Sequence, residues 1–411
     1  MKCPPEYWIW LQRTLGAGKR LDNFFAYFGN PVNLYEAGHA EWIHSGVLSA
    51  KDAQKLVQFS PSQSYSIMKE CLNKGWEIVT YDDDCYPERL RELVNPPCVL
   101  YVSGDKNILN YPLSIGMVGT RDASDYGLNV AQDISASLAG AGVVIVSGGA
   151  LGVDSASHSG AVMAGGKTVA VLGCGLGCNY LASNEPLRRQ IAENGAVISE
   201  FIPYTEPSKS TFPIRNRIIS GMTLGTVVIE AGEKSGSLIT AKAALEQGRD
   251  VFAVPGDITN SNHFGTNNLI RDGAKSVFSY MDVLCGYIDA YSEYINTDKR
   301  YIPPKKTGIK AEKAPVERKN RKTEQSAQVY EPQTVSPKKE ENKMKPSVPD
   351  YASETAKKVF EYLDDEGILT DELVQKSGLP VHEVLSALTE LEMYSLACMG
   401  SGKRYYVKFS V

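Results

Sequence analysis

No apolar run in these 411 residues approaches the ~18 needed to cross a bilayer. The opening Met1-Lys-Cys-Pro-Pro5 lacks the basic and apolar regions of a secretory signal. A cytoplasmic chain is expected. Cysteine is present without a pattern: eight are scattered, and the nearest two, Cys174 and Cys178, have only Gly-Leu-Gly between them. No histidine stands close by to complete a zinc site, so they read as thiols of a reducing compartment and no metal is expected. Positive charge is not in excess either. With 43 Lys and Arg against 48 Asp and Glu, the net charge is −5. That excludes a generally basic coat and confines any nucleic-acid site to a local patch.

The signatures of nucleotide enzymes are missing too. Gly165-Gly-Lys-Thr168 resembles the end of a phosphate-binding loop, but the earlier glycine it requires would fall at Ala161. The segment also leads from a helix into a strand, the reverse of the needed order. Gly173-x-Gly175 would need a third glycine at Cys178, so the dinucleotide fingerprint fails. There is no nucleophile elbow, and His158 beside Asp154 reads as core packing or capping. No catalytic residue and no cofactor are expected.

What is present divides the chain into four parts. Residues 1–84 read as short helices. There Leu11-Gln-Arg-Thr-Leu-Gly-Ala-Gly-Lys-Arg-Leu21 suggests a helix-hairpin-helix or SAM-like module, whose glycine turn can offer amides to a phosphate. In residues 85–290 six apolar runs read as buried strands: 113–118, 143–146, 169–172, 196–198, 227–229 and 251–254. Helical patterns near 127–140, 154–164, 185–194, 214–222 and 237–247 alternate with them. That alternation predicts an α/β fold, an extended Rossmann-like parallel sheet with helices on both faces. Residues 291–349 are rich in Lys, Glu, Pro, Ser and Gln and read as a flexible linker. Residues 350–411 give three helices and a hairpin around Gly400-Ser-Gly402, the outline of a winged helix. Its third helix carries Glu383, Glu390 and Glu392 and almost no base, so protein contact is expected of it.

In a sheet of this kind ligands bind at the carboxyl ends of the strands. Those ends read Val118-Gly-Thr-Arg121, Ser147-Gly-Gly149, Gly173-Cys-Gly175, Glu200-Phe-Ile-Pro203, Glu230-Ala-Gly-Glu-Lys-Ser-Gly-Ser237 and Pro255-Gly-Asp257. Several small-residue loops on one edge suit an extended anion approaching backbone amides. The stretch Thr211-Phe-Pro-Ile-Arg-Asn-Arg-Ile-Ile-Ser220 adds an aromatic ring and two guanidinium groups at a helix entrance. Two residues is more than half a helical turn, so Arg215 and Arg217 diverge on a regular helix. Either can bind phosphate or pair with a carboxylate such as Glu200 or Glu230.

Together these motifs resemble the DNA-processing protein A (DprA/Smf) family of bacteria. The resemblance implies a non-catalytic single-stranded DNA-binding protein that protects incoming strands and helps load the RecA recombinase during natural transformation. It implies a homodimer formed through the Rossmann-like domain. Carried over by position, Arg121, Lys209, Arg215 and Arg217 would contact phosphates, and Phe212 would lie at the base-contacting rim. Gly119, Ser147, Gly148, Gly149, Asn216, Ser235, Gly236 and Ser237 complete the expected DNA-binding set. Some relatives carry a basic residue where Glu185 stands, and Arg188 and Arg189 could compensate. The alternative is a nucleotide-processing or nucleotide-sensing enzyme of the related hydrolase group, using Glu230 and Asp154 at the same edge.

Overall fold

The computed structural model describes residues 2–180, 182–296, 349, 352–364, 367–394, 396–399 and 404–407. The chain forms two compact units, Met1–Ala311 and Glu312–Val411. The linker expected at 291–349 lies, from residue 297 to 348, outside the described residues.

The first unit begins with five helices: α1 (Pro5–Leu15), α2 (Asp22–Phe28), α3 (Pro31–His44), α4 (Ala50–Gln58) and α5 (Tyr65–Lys74). Local chemistry sets their ends. Pro5 opens α1 at a position where its missing N–H costs nothing. Ser49 caps α4 by accepting from the Asp52 amide, and Gly75 closes α5 in the left-handed region. Trp8, Trp10, Leu11, Phe24 and Leu34 are buried among these helices together with Val99 and Tyr101 of the sheet.

The sheet contains nine described strands: β1 (Glu77–Thr80), β2 (Val99–Gly104), β3 (Ser114–Val118), β4 (Val144–Ser147), β5 (Thr168–Val171), β6 (Gly195–Ser199), β7 (Gly225–Val228), β8 (Asp250–Ala253) and β9 (Lys275–Ser276). Their order is β1-β2-β6-β5-β4-β3-β7-β8-β9. From β6 to β9 every pairing is parallel, whereas β2 joins β6 and β1 joins β2 antiparallel. The helices are α6 (Glu88–Arg91), α7 (Asp125–Gly140), α8 (Val153–Met163), α9 (Glu185–Asn194), α10 (Thr211–Gly221), α11 (Ser237–Glu246), α12 (Phe264–Arg271) and α13 (Tyr280–Leu284). Two apolar layers result. Val146, Val171, Ile198, Ile218 and Val228 fill one, and Ile115, Ile145, Val227, Ile229 and Leu138 fill the other. Burial on both faces is why these strands read as continuous apolar runs.

The six strands and five helices expected between 113 and 254 are all present. The sheet also takes in β1, which lies inside the segment expected to be purely helical, and β2 and β9. At the far end residues 291–296 stay on the core, where the Asn296 amide donates to the Ala141 carbonyl at 2.9 Å.

The second unit is a winged helix: α14 (Glu354–Glu361), β10 (Ile368–Leu369), α15 (Thr370–Ser377), α16 (Val381–Met393), β11 (Ala397–Met399) and β12 (Arg404–Val407), with sheet order β10-β12-β11. Val359, Phe360, Leu373, Val384, Leu388 and Leu391 form its core. The hairpin tip expected at Gly400–Gly402 lies outside the described residues.

Candidate nucleic-acid interface

The chain runs from β3 through β4 and β5 to β6 on one side, then crosses to β7 and β8 on the other. The order reverses between β3 and β7, where a crevice at the carboxyl ends is expected. A cavity of about 330 Å³ opens there. Gly119, Arg121, Phe212, Arg215, Asn216, Ser235, Gly236 and Ser237 all line it, together with Thr120, Asp122, Ala150, Asp154 and Thr240.

Each wall follows from local sequence. Gly119 lets the chain leaving β3 pass α8, because a Cβ there would stand 2.5 Å from Val153 Cγ2. Arg121 is thereby carried to the exposed lip. Its guanidinium carbon lies 4.7 Å from the centre of the Phe212 ring, and that of Arg215 lies 6.0 Å away. Across the mouth, the hydroxyls of Ser235 and Ser237 meet at 2.8 Å where α11 begins, and the Ser237, Leu238 and Ile239 amides donate to Ser235 and Gly236 within the turn.

Arg215 is held rather than free. Its Nη1 donates to the Gly148 and Val171 carbonyls just past β4 and at the end of β5, and Nε donates to Asn216 Oδ1 at 3.0 Å. It is 5% exposed. Burial works against its charge, and Asp154 beside it supports that charge. Burial likewise pushes the Asp154 carboxyl up from its ordinary range, with Arg215 opposing the shift. The pair gives the cavity floor an acceptor as well as a donor.

Five expected residues stand elsewhere. Ser147 is buried and donates to the Met117 carbonyl at 2.6 Å, tying β4 to β3. Gly148 and Gly149 support the floor, since a Cβ on Gly148 would collide with Arg215 Nη1. Lys209 is exposed two residues before α10, outside the cavity lining. Arg217 points to the other side of α10, where its Nη2 donates to both Glu200 oxygens at 2.6 Å. The expected divergence of the two arginines is therefore realised, and the carboxylate partner of Arg217 is Glu200.

Other sequence candidates find structural partners. Glu185 pairs with Arg188 at 3.0 Å and Arg189 at 3.3 Å, which offsets their charge. Glu230 is fully buried and accepts from the Ser124 hydroxyl at 2.6 Å at the start of α7, away from the cavity lining. His158 Nδ1 meets Thr168 Oγ1 at 2.7 Å in the core, and burial lowers its pKa to about 3. The Gly18 amide in the α1–α2 turn is committed to Glu200 at 3.0 Å instead of being free for phosphate. Sequence reasoning passed over Thr120, Asp122, Ala150 and Thr240 as ligand-facing residues, although each adjoins a glycine-rich strand-end loop. Among the described residues no cluster of three metal-binding side chains occurs, and no helix is long and apolar enough to cross a membrane.

Residues 77–287 match the family model of DNA recombination-mediator protein A. The Smf protein of Synechocystis is 31% identical over 415 residues, spanning 97% of this chain and 98% of that one. The chain belongs to the DprA/Smf family. The DNA processing protein DprA of Streptococcus pneumoniae is 44% identical over 202 residues, 49% of this chain and 71% of its own. Its X-ray structure superposes with a TM-score of 0.61 at 35% identity, covering 69% of this chain and 98% of that one. Residues 343–402 match the DprA winged helix domain, in agreement with the second unit. A DprA/Smf core and a winged helix thus account for both units.

Proposed function

We propose that this protein is a single-stranded DNA-binding recombination mediator acting by binding rather than catalysis. The observation that carries the proposal is the switch-point cavity, where Arg121, Arg215, the Ser235–Ser237 turn and Phe212 line one opening. Exposed Arg121 and Lys209 suit phosphates. Phe212 offers an aromatic edge for a base. A single strand fits this arrangement better than a duplex, because its bases are free to enter a pocket. Among the described residues the third helix of the winged helix, α16, carries no Lys or Arg to read a groove.

Membership of the family supports the wider role: protection of incoming strands, loading of RecA during natural transformation, a homodimer through the Rossmann-like domain, and work in the cytoplasm. Titration of a labelled single strand and its duplex of equal length, at two salt concentrations, tests the core of it. Preference for the single strand is expected, and equal affinity at moderate salt would overturn it.

A nucleotide-processing reading retains one supporting observation, the raised Asp154 carboxyl in the cavity. Incubation with ATP, NAD and nucleoside monophosphates is expected to give no turnover above an Asp154→Asn control. Asp154-dependent product would favour the enzyme.

A further inference from the structure

The glycine turn between α1 and α2 ends on the buried side of α10. Gly18 adopts φ +76°, and a Cβ on it would stand 3.1 Å from Ile214 Cγ2. Its amide donates to Glu200 Oε1 at 3.0 Å, while Arg217 Nη2 donates to both Glu200 oxygens at 2.6 Å. Gln12 of α1 extends the network by donating to the carbonyls of Glu200 and Val99 and accepting from the Tyr101 hydroxyl at 3.0 Å. The Arg217 and Glu200 side chains are only 8% and 3% exposed. A buried ion pair holds its place when further hydrogen bonds satisfy it. Here the turn between the N-terminal helices supplies that further donor to Glu200, while Arg217 Nε and Nη1 have no hydrogen-bond partner among the described residues. Ile214 and Arg217 belong to the same short helix as Phe212 and Arg215, so whatever seats one side of α10 also sets the other.

We infer that Arg217 is a positioning residue and not a DNA ligand. Clamped by Glu200, which also accepts from the Gly18 amide, it lets the N-terminal helices fix α10 and thereby hold Phe212 and Arg215 at the cavity. The inference rests on the single-stranded DNA reading of that cavity. It gives the N-terminal module a part in DNA binding without any contact of its glycine turn with phosphate. A helix of eleven residues moves as a body, so loosening the clamp misplaces ring and guanidinium together.

The test uses the full chain and a labelled oligothymidylate, with affinity followed against salt and Tm measured alongside. Arg217→Met leaves Glu200 buried without its counter-charge. It is expected to lower Tm and weaken binding by about tenfold or more. Glu200→Gln/Arg217→Met removes both charges at similar volume and is expected to recover most of that loss. Gly18→Val, strained at positive φ and pressed against Ile214, is expected to weaken binding several-fold. A Glu200→Gln/Arg217→Met variant that regains wild-type Tm yet loses about 0.7 in slope would show that Arg217 itself meets a phosphate and overturn the inference. So would absence of recovery in the double variant. Should Arg217→Met fail to fold, folded Gly18→Val with wild-type affinity overturns it and weakened binding supports it. If the wild type binds no single strand, the DNA reading fails by itself and Tm decides the clamp. Non-additive Tm losses for Gly18→Val and Glu200→Gln/Arg217→Met then support it, and additive losses refute it.

Discussion

α10 and α16 both turn one side outward, and their surroundings suit opposite partners. Around the start of α10 stand Arg121, Lys209, Arg215 and the turn leading into α11. α16 occupies the place where a winged helix would read a DNA groove. It presents Val381, His382 and Leu385 to solvent, carries Glu383, Glu390 and Glu392, and has no Lys or Arg. Phosphate affinity needs positive charge, so the proposed DNA reading is assigned to the sheet edge. The helix that fold analogy would nominate is the poorer candidate.

The largest effect that can break this contrast is expected at Arg215. Arg215→Ala would strip the Gly148 and Val171 carbonyls of their donor and leave Asp154 buried without its counter-charge. Each buried acceptor left without its donor costs about 1–3 kcal/mol. A marked fall in Tm should accompany loss of DNA binding, and an unchanged Tm would refute the anchoring role. Phe212→Ala comes next. A base stacked on an aromatic contributes roughly 1–3 kcal/mol, and Arg121 rests 4.7 Å from the same ring. Weaker binding together with a slightly flatter salt slope is expected. A full slope with weaker binding would show that Arg121 holds its place without the ring.

A smaller effect separates core chemistry from site chemistry. In the fold His158 is held near pKa 3, against 6.5 ordinarily. Between those values the unfolded chain binds the extra proton, so this group makes stability fall as pH drops from 6.5 towards 3. Asp154 and Glu200, whose carboxyls are raised by burial, contribute with the opposite sign. His158→Gln should therefore flatten the decline in denaturation free energy between about pH 6 and 4. A curve parallel to wild type would contradict the burial of a neutral imidazole. The smallest effect belongs to α16, where Val381→Asp with Leu385→Asp should leave single-strand affinity unchanged. A clear loss would move DNA contact to the winged helix.

The central fold was legible because β3 to β8 are buried on both faces and so appear as apolar runs between helical patterns. β1 and β2 were not. Glu77-Ile-Val-Thr80 is four residues long, and its strand character comes from pairing with Val99–Val102. That hairpin in turn is fixed by Tyr101 opposite Ser199 and Val102 opposite Ile198, nearly a hundred residues away in sequence. The cavity was legible as strand-end loops plus the α10 entrance, since glycine and serine positions at β3, β7 and α11 fall on one edge. Helical spacing announced that Arg215 and Arg217 part company. Choosing between phosphate and carboxylate for Arg217 required Glu200, which lies seventeen residues earlier and meets it only once β6 and α10 are packed.

The most direct measurement is the salt dependence of single-strand affinity for wild type and for Arg121→Ala with Lys209→Ala. These are two exposed cations, Arg121 on the cavity lining and Lys209 outside it two residues before α10, and neither has a structural anchor of the kind that holds Arg215. Each phosphate contact removed from a single strand lowers the slope magnitude by about 0.7, so a decrease of about 1.4 with Tm unchanged is predicted. An unchanged slope in a folded double variant would contradict the placement of DNA on this edge.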